Sequence, residues 1–206
     1  MAESKEIEIK WNAYSTERQS SVERSTFNRA IRKYVRGKKS RKLVIAGFDY
    51  YYESKDGYVG RHRHGSSSNE LTTKARTSKR STTIRAETNL MLEKSTSPLQ
   101  VQEFFLELGF PKVLPIFKDC DIYFIKEGQF VVDVVWYRVT CGKAKVRDFI
   151  EVEVHEAPVK QSLAILNRWK KFLQAEFGIT DADIVHESLY EIYSGKRYRM
   201  SARMSR

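Results

Sequence analysis

Near its start the chain reads Glu6-Ile7-Glu8-Ile9-Lys10-Trp11, and near its end Phe149-Ile150-Glu151-Val152-Glu153-Val154. On an extended backbone, residues two apart share a face. Glu6, Glu8 and Lys10 therefore point one way and Ile7, Ile9 and Trp11 the other; Glu151 and Glu153 are opposed by Ile150, Val152 and Val154. Between these segments Arg61 and Arg63 share a face, and Arg85 and Glu87 share one opposite Ile84 and Ala86. A half-exposed antiparallel sheet alternates apolar and polar in any case, and one E-x-E-x-K string is a weak signal. The combination says more. Four carboxylates arrive as two E-x-E pairs from opposite ends of the sequence, with paired basic residues on the strands between. If such a sheet closes, the charged face can be its interior. That interior would be a polar bore and not a packed core, with the apolar faces turned outward under helices.

The rest of the chain fits that frame. Strand-like runs rich in Val, Ile, Tyr, Phe and Thr lie at 6–11, 41–54, 58–64, 69–76, 82–92, 112–117, 120–127, 130–140 and 148–156. Four helices are predicted. The first spans about 22–36, with Phe27, Ile31, Tyr34 and Val35 on one stripe and Gly37 as its stop. Ser97-Pro98 opens the second, with a core face of Val101, Phe104, Phe105 and Leu108. The third and longest runs from Val159 to Phe177 and ends at Gly178. Thr180-x-x-Asp183 resembles a capping box that starts a fourth, running to about Ser194. Nine strand candidates with so few helices imply an α+β antiparallel structure.

Composition bounds the rest. The 206 residues fit one domain at roughly 100–200 residues each; that domain is read over 1–195, with 196–206 as a frayed basic tail. Hydrophobic residues make up 41% and aromatics 12%, enough for a sizeable core. No apolar run approaches the ~18 residues of a membrane span, the opening MAESKEIEIK lacks a secretory stretch, and Cys120 and Cys141 are too few for a disulfide framework. A cytoplasmic, non-membrane protein, monomer or homodimer, is the expectation. The formal charge of +11, with eight cations between residues 29 and 42, suggests a polyanionic partner.

One chemistry accounts for acids and bases on the same face. A triphosphate needs several Arg or Lys donors, and Arg offers a planar fork to phosphate oxygens. Clustered carboxylates would repel that anion unless a divalent cation stood between them. Mg²⁺ or Mn²⁺ prefers oxygen ligands and bridges carboxylates to phosphates.

These residues resemble the CYTH domain, or triphosphate tunnel metalloenzyme, family, over Glu6 to about Glu191. Glu6-Ile7-Glu8-Ile9-Lys10 matches its opening E-x-E-x-K, and Phe48-Asp49-Tyr50-Tyr51-Tyr52-Glu53 its aromatic second strand. Arg61-His62-Arg63 resembles the R-x-R strand, Leu71-Thr72-Thr73-Lys74 the strand ending in a phosphate-binding Lys, and Arg85-Ala86-Glu87 the R-x-E after it. Asp133, the terminal Glu151-Val152-Glu153 and Ser188-Leu189-Tyr190-Glu191 complete the order. The resemblance implies a closed eight-stranded antiparallel β-barrel, a tunnel with helices outside. It implies Mg²⁺ or Mn²⁺ held by Glu6, Glu8, Asp133, Glu151 and Glu153, and substrate phosphates held by Lys10, Arg61, Arg63, Lys74, Arg85 and Lys118. Glu6, Glu8, Lys10, Glu151 and Glu153 would carry catalysis, and Glu87 would orient a neighbouring Arg or reach the metal through water. The implied activity is hydrolysis of tripolyphosphate, thiamine triphosphate or a nucleoside triphosphate. Alternatives are cyclisation of ATP to cyclic AMP, an RNA 5′-triphosphatase, or nucleic-acid binding through 29–42. One departure stands out: where the family often has K-x-R, Lys118 is followed by Asp119 and Cys120, so a phosphate-binding Arg is absent. His62 and His64 fall on the face opposite Arg61 and Arg63 and read as outward and non-catalytic. Tyr50–Tyr52 and the Trp169, Phe172, Phe177 set read as packing.

Overall fold

The computed structural model describes residues 4–79, 82–155 and 158–196, with the backbone alone for 4–6, 74–79 and 82–87. In chain order the elements are β1 (Ser4–Asn12), a small ladder of β2 (Tyr14–Ser15) with β3 (Ser20–Ser21), α1 (Arg24–Tyr34), β4 (Ser40–Glu53), β5 (Val59–Gly65), β6 (Asn69–Lys79), β7 (Thr82–Met91), α2 (Pro98–Glu107), β8 (Lys112–Glu127), β9 (Phe130–Thr140), β10 (Arg147–His155), α3 (Val159–Phe177), a 3-10 turn at Asp181–Asp183, and α4 (Leu189–Ser194). The α+β expectation holds. Eight strands pair antiparallel in the order β1-β10-β9-β8-β4-β5-β6-β7, and β1 also pairs with β7, placing Glu6 opposite Arg85 and closing the sheet on itself. One rim, called here the front, carries the starts of β1, β4, β6 and β9; the back rim carries their ends.

The outer surface is where the apolar faces go. Ile7, Ile9 and Trp11 of β1, Ile150, Val152 and Val154 of β10, and Val132, Val134 and Trp136 of β9 form one buried cluster with Phe27 and Ile31 of α1 and Ile165, Leu166, Trp169, Leu173 and Phe177 of α3. In α3 the buried positions recur every three or four residues, the stripe of a helix with one face to the core. The helix stops where Gly178 takes a left-handed φ of 68°, a conformation that costs glycine little. A second, smaller outer cluster packs α2 on the β4–β5 pair: Phe105 stacks flat on Tyr52 with ring centroids 4.2 Å apart. Gly60 makes room for it, since a Cβ there would lie 2.8 Å from the Phe105 ring.

Three expectations are corrected. The runs 112–117 and 120–127 are one continuous strand, β8, across Lys118-Asp119-Cys120-Asp121. Its charges do not break it because each has a partner elsewhere: Lys118 faces Asp49 inside, while outside Arg24 of α1 grips Asp119 at 2.6 Å and Asp121 at 2.7 Å. Second, the capping box at Ser97 and Gln100 forms, but α2 buries Val101 and Phe105 and leaves Phe104 and Leu108 more than half exposed. Third, no single helix runs from Thr180 to Ser194. The Thr180–Asp183 capping box closes only the 3-10 turn, because Ile184 turns extended to bridge Trp11 and Val185 donates its N–H to the Lys10 carbonyl. A separate capping box, Ser188 with Glu191, then starts α4. Of the expected tail, Lys196 pairs with Glu53 at 3.0 Å and the remainder lies outside the described residues. Among the described residues no helix is long and apolar enough to cross a membrane.

Candidate active site

Strand alternation delivers the inner face as a set. Glu8 and Lys10 of β1, Glu151 and Glu153 of β10, Asp133, Val135 and Tyr137 of β9, Lys118 and Cys120 of β8, Asp49 and Tyr51 of β4, Arg61 and Arg63 of β5, and Glu70 and Thr72 of β6 all line one cavity of about 340 Å³. Register then fixes the neighbours. Glu8 lies opposite Glu153, which lies opposite Asp133; Lys10 lies opposite Glu151; Asp49 lies opposite Arg63, which lies opposite Glu70.

The interior is only half the polar bore expected. Toward the back rim Tyr51, Ile116, Cys120, Tyr137, Val139 and Phe149 pack with Val185, Leu189 and Tyr190 of the segment leading into α4. Ser188 and Leu189 reach the cavity itself, and the Lys10 ammonium donates to the Glu187 carbonyl. Among the described residues, α4 and its approach thus cover the back rim beside β4, β8, β9 and β10. Toward the front rim the cavity meets solvent at the β5–β6 turn, where exposed Ser67 lines it.

The acidic wall draws together Glu8, Glu151 and Glu153, whose carboxylate oxygens lie within 4.8 Å of one another. Like charges so close and so enclosed repel strongly unless a cation is shared. Nearby, His155 joins two strands, its Nε2 3.1 Å from Asp133 and its Nδ1 3.1 Å from Glu153. The Asp133 Oδ1 is buried and has no hydrogen-bond partner. Hard oxygen donors clustered in this way, one of them unsatisfied, fit Mg²⁺ or Mn²⁺. Tyr137 donates to Glu151 at 3.1 Å; burial, reinforced by Glu151 and Glu8, pushes its phenol well above the usual range.

On the basic wall each cation is already engaged. Arg63 donates from Nε to Asp49 at 3.0 Å and from Nη1 to Glu70 at 3.4 Å, and Arg61 donates to the Thr72 hydroxyl at 3.0 Å. Lys118 sits 3.9 Å from Asp49, with its ammonium 4.4 Å from the Tyr137 ring centre. Burial opposes the charge on Asp49, but Arg63, Arg61 and Lys118 outweigh it and hold its carboxyl far below the usual carboxylate range. Cys120, on the inner face two residues after Lys118, occupies the place where the resemblance leads one to look for an Arg. Burial raises its thiol against the opposing pull of Lys118 and Arg63.

The structure therefore brings Glu8, Lys10, Arg61, Arg63, Lys118, Asp133, Glu151 and Glu153 into one space. Glu6, Lys74, Arg85 and Glu87 lie on β1, β6 and β7, and their side chains fall outside the described residues. His62 is off the inner face, as expected, but fully buried and bonded to Asn69 at 2.7 Å. Of the tyrosines, Tyr51 lines the cavity while Tyr52 packs under α2. Sequence reasoning gave no role to Asp49, Glu70, Tyr137 or His155. Two of them carried a signal: Asp49 is the lone acid inside an aromatic run, and His155 continues the alternation Glu151-x-Glu153-x-His155.

No family model and no curated protein sequence matches the chain. Solved structures do. A conserved hypothetical protein from Pyrococcus furiosus superposes with a TM-score of 0.64 at 18% identity, over 90% of this chain and 98% of that one. The PH1012 protein of Pyrococcus horikoshii gives 0.61 at 20% identity, over 90% and 98%, and the PH1819 protein of the same organism 0.60 at 19%, over 93% and 99%. At such identities the likeness is one of fold.

Proposed function

We propose that this protein is a divalent-metal-dependent hydrolase of small triphosphates (tripolyphosphate, thiamine triphosphate or a nucleoside triphosphate) that releases phosphate. The observation that carries the reading is one cavity that holds the Glu8–Glu151–Glu153 cluster together with Lys10, Arg61, Arg63 and Lys118. The motif order from Glu6 to Glu191 supports it, and on motif alone Glu6, Lys74 and Arg85 join the site.

Among the described lining, six carboxylates (Glu8, Asp49, Glu70, Asp133, Glu151, Glu153) outnumber four Lys and Arg side chains. That described lining, taken alone, would repel a bare polyanion. A bound Mg²⁺ or Mn²⁺ would cancel that surplus, polarise a phosphoryl oxygen and lower the pKa of a bound water. Glu8, Glu151 and Glu153, with Asp133, would hold it, and His155 fixes the mutual orientation of Asp133 and Glu153. Arg61 and Arg63 present guanidinium donors in place before substrate arrives, held by Thr72, Asp49 and Glu70; donors fixed in this way stabilise developing charge without reorganising. Lys118 extends the cationic wall, and Lys10 stands beside Glu151 near the Glu187 carbonyl.

The test is phosphate release from tripolyphosphate, thiamine triphosphate, ATP, GTP and triphosphorylated RNA with Mg²⁺ and with Mn²⁺. Turnover of a small triphosphate is expected with metal and none in EDTA. Glu153→Gln and Glu8→Gln should each lower kcat by roughly 10²–10³-fold with an unchanged circular dichroism spectrum. Pyrophosphate and cyclic AMP from ATP would replace hydrolysis by cyclisation, and full activity of both variants would overturn the site.

A further inference from the structure

Between Arg29 and Lys42 the chain carries eight Arg and Lys and no acid, most of the formal surplus of +11. The structure arranges them. Phe27, Ala30 and Ile31 turn α1 inward, leaving Arg29, Lys33 and Arg36 exposed at helical spacing along the opposite stripe. The stripe runs toward the front rim, because the α1–β4 connection is tied there. Lys38 pairs with Glu127 at the end of β8 at 3.3 Å, and the Lys39 carbonyl accepts from the Lys126 N–H at 3.0 Å. Arg41 follows on the strand alternation of Ile45 and Gly47, which line the cavity, and its guanidinium lies 4.6 Å from the Phe124 ring centre.

We propose that this cationic track from α1 to the front rim is a docking surface for a single-stranded nucleic acid, laid along the backbone phosphates and leading to the mouth of the cavity. From Arg29 to the end of α1 at Tyr34 the helix alone advances on the order of 8 Å, before Arg36 and the rim are added, so the track exceeds what a triphosphate can touch. It bends from a helix flank over a strand end, a path that a flexible strand follows and a flat bilayer does not. It also offers nothing to insert into lipid: Ala30 and Ile31 are buried and Tyr34 and Val35 half-buried. The Arg41–Phe124 pair adds a flat surface of the kind on which an unpaired base stacks. The surface is independent of the hydrolytic reading.

The experiment measures anisotropy of a 3′-labelled, 5′-hydroxyl RNA of about 20 nucleotides in EDTA, so that neither metal nor a triphosphate end contributes. Binding is expected with a steep salt dependence. In R29Q/K33Q/R36Q/K39Q the slope of log K against log salt should flatten by about 0.7 for each phosphate that is no longer neutralised, with at least about tenfold weaker binding near 0.1 M salt. Hydrolysis of tripolyphosphate by this variant should be unchanged. A Kd that the four substitutions leave unchanged overturns the proposal. So does binding to vesicles of about 30% phosphatidylserine with none to RNA. Failure of the hydrolase assay leaves the RNA result standing, and the reverse holds.

Discussion

At the residue scale, the charges that hold this molecule together and those that face the cavity use one device, a buried carboxylate surrounded by cations. Outside the barrel Asp121 accepts from Arg24 at 2.7 Å, from Lys42 at 3.0 Å and from Asn28, pinning α1 to β8. Burial disfavours its charge, yet those hydrogen bonds prevail and keep its carboxyl below the usual carboxylate range. A group depressed on folding contributes its full stability above the unfolded value, near 4, and loses it as the pH falls through the folded one. The urea midpoint of the wild type should accordingly drop between about pH 5 and about pH 2. Asp121→Asn should start lower and fall less steeply over the same interval; equal slopes would mean that the cluster is not coupled to folding. Inside, Asp49→Ala leaves the half-buried Arg63 with Glu70 as its carboxylate partner among the described residues. Removing the nearer, buried carboxylate strips the guanidinium of its best partner, so this variant should lose more stability in the same titration than Glu70→Ala, whose carboxylate lies farther from Arg63.

At the scale of elements, what could be read locally was read, and what depended on distant partners was not. Period-two alternation in β1 and β10 gave both their strand character and the face that carries the acids, since inside and outside differ by one residue. β8 looked divided because Lys118, Asp119 and Asp121 resemble a loop; the residues that neutralise them, Arg24 and Asp49, are far away in sequence. Thr180 signalled a true cap, but tertiary demand from Trp11 and Lys10 pulled the following residues straight. The cover made by α4 has no local signature, because Leu189 and Tyr190 read equally as helix core anywhere. The apolar positions of α2 gave a helix but not its rotation, which Gly60 sets by admitting the Phe105 ring. Gly60→Val should push that ring off Tyr52 and cost about 1–3 kcal/mol. Phe104→Ser, on the exposed face, should stay within about 0.5 kcal/mol. If the two changes proved equal, or reversed, by urea denaturation, α2 would pack by another face.

For the whole molecule, the consequence of turning the sheet's polar face inward is that helices outside carry most of the stability while the interior is left to chemistry. The division is not complete: among the described residues the back half of the barrel is packed with Tyr51, Tyr137 and Phe149 against α4, while the cavity meets solvent at the front rim beside Ser67. Trp169→Ala, in the outer cluster, should cost about 3–5 kcal/mol without altering what the cavity binds. The cavity's own charge leads to a sharper expectation. With six acids against four bases in the described lining, tripolyphosphate in EDTA meets net repulsion and should leave the melting temperature nearly where it was. Mg²⁺ or Mn²⁺ alone should raise it, because a ligand that binds only the folded state stabilises by mass action. The two together should raise it by more than the sum of their separate shifts, since each supplies the charge the other lacks, and coupling between two ligands is reciprocal. In Glu151→Gln the synergy should shrink along with the metal shift, while the melting temperature without ligand stays or rises as the repulsion among the three acids is relieved. Tripolyphosphate that stabilised the wild type as well in EDTA as with metal would show that Lys10, Arg61, Arg63 and Lys118 bind the anion unaided, and the acidic wall would then need another explanation.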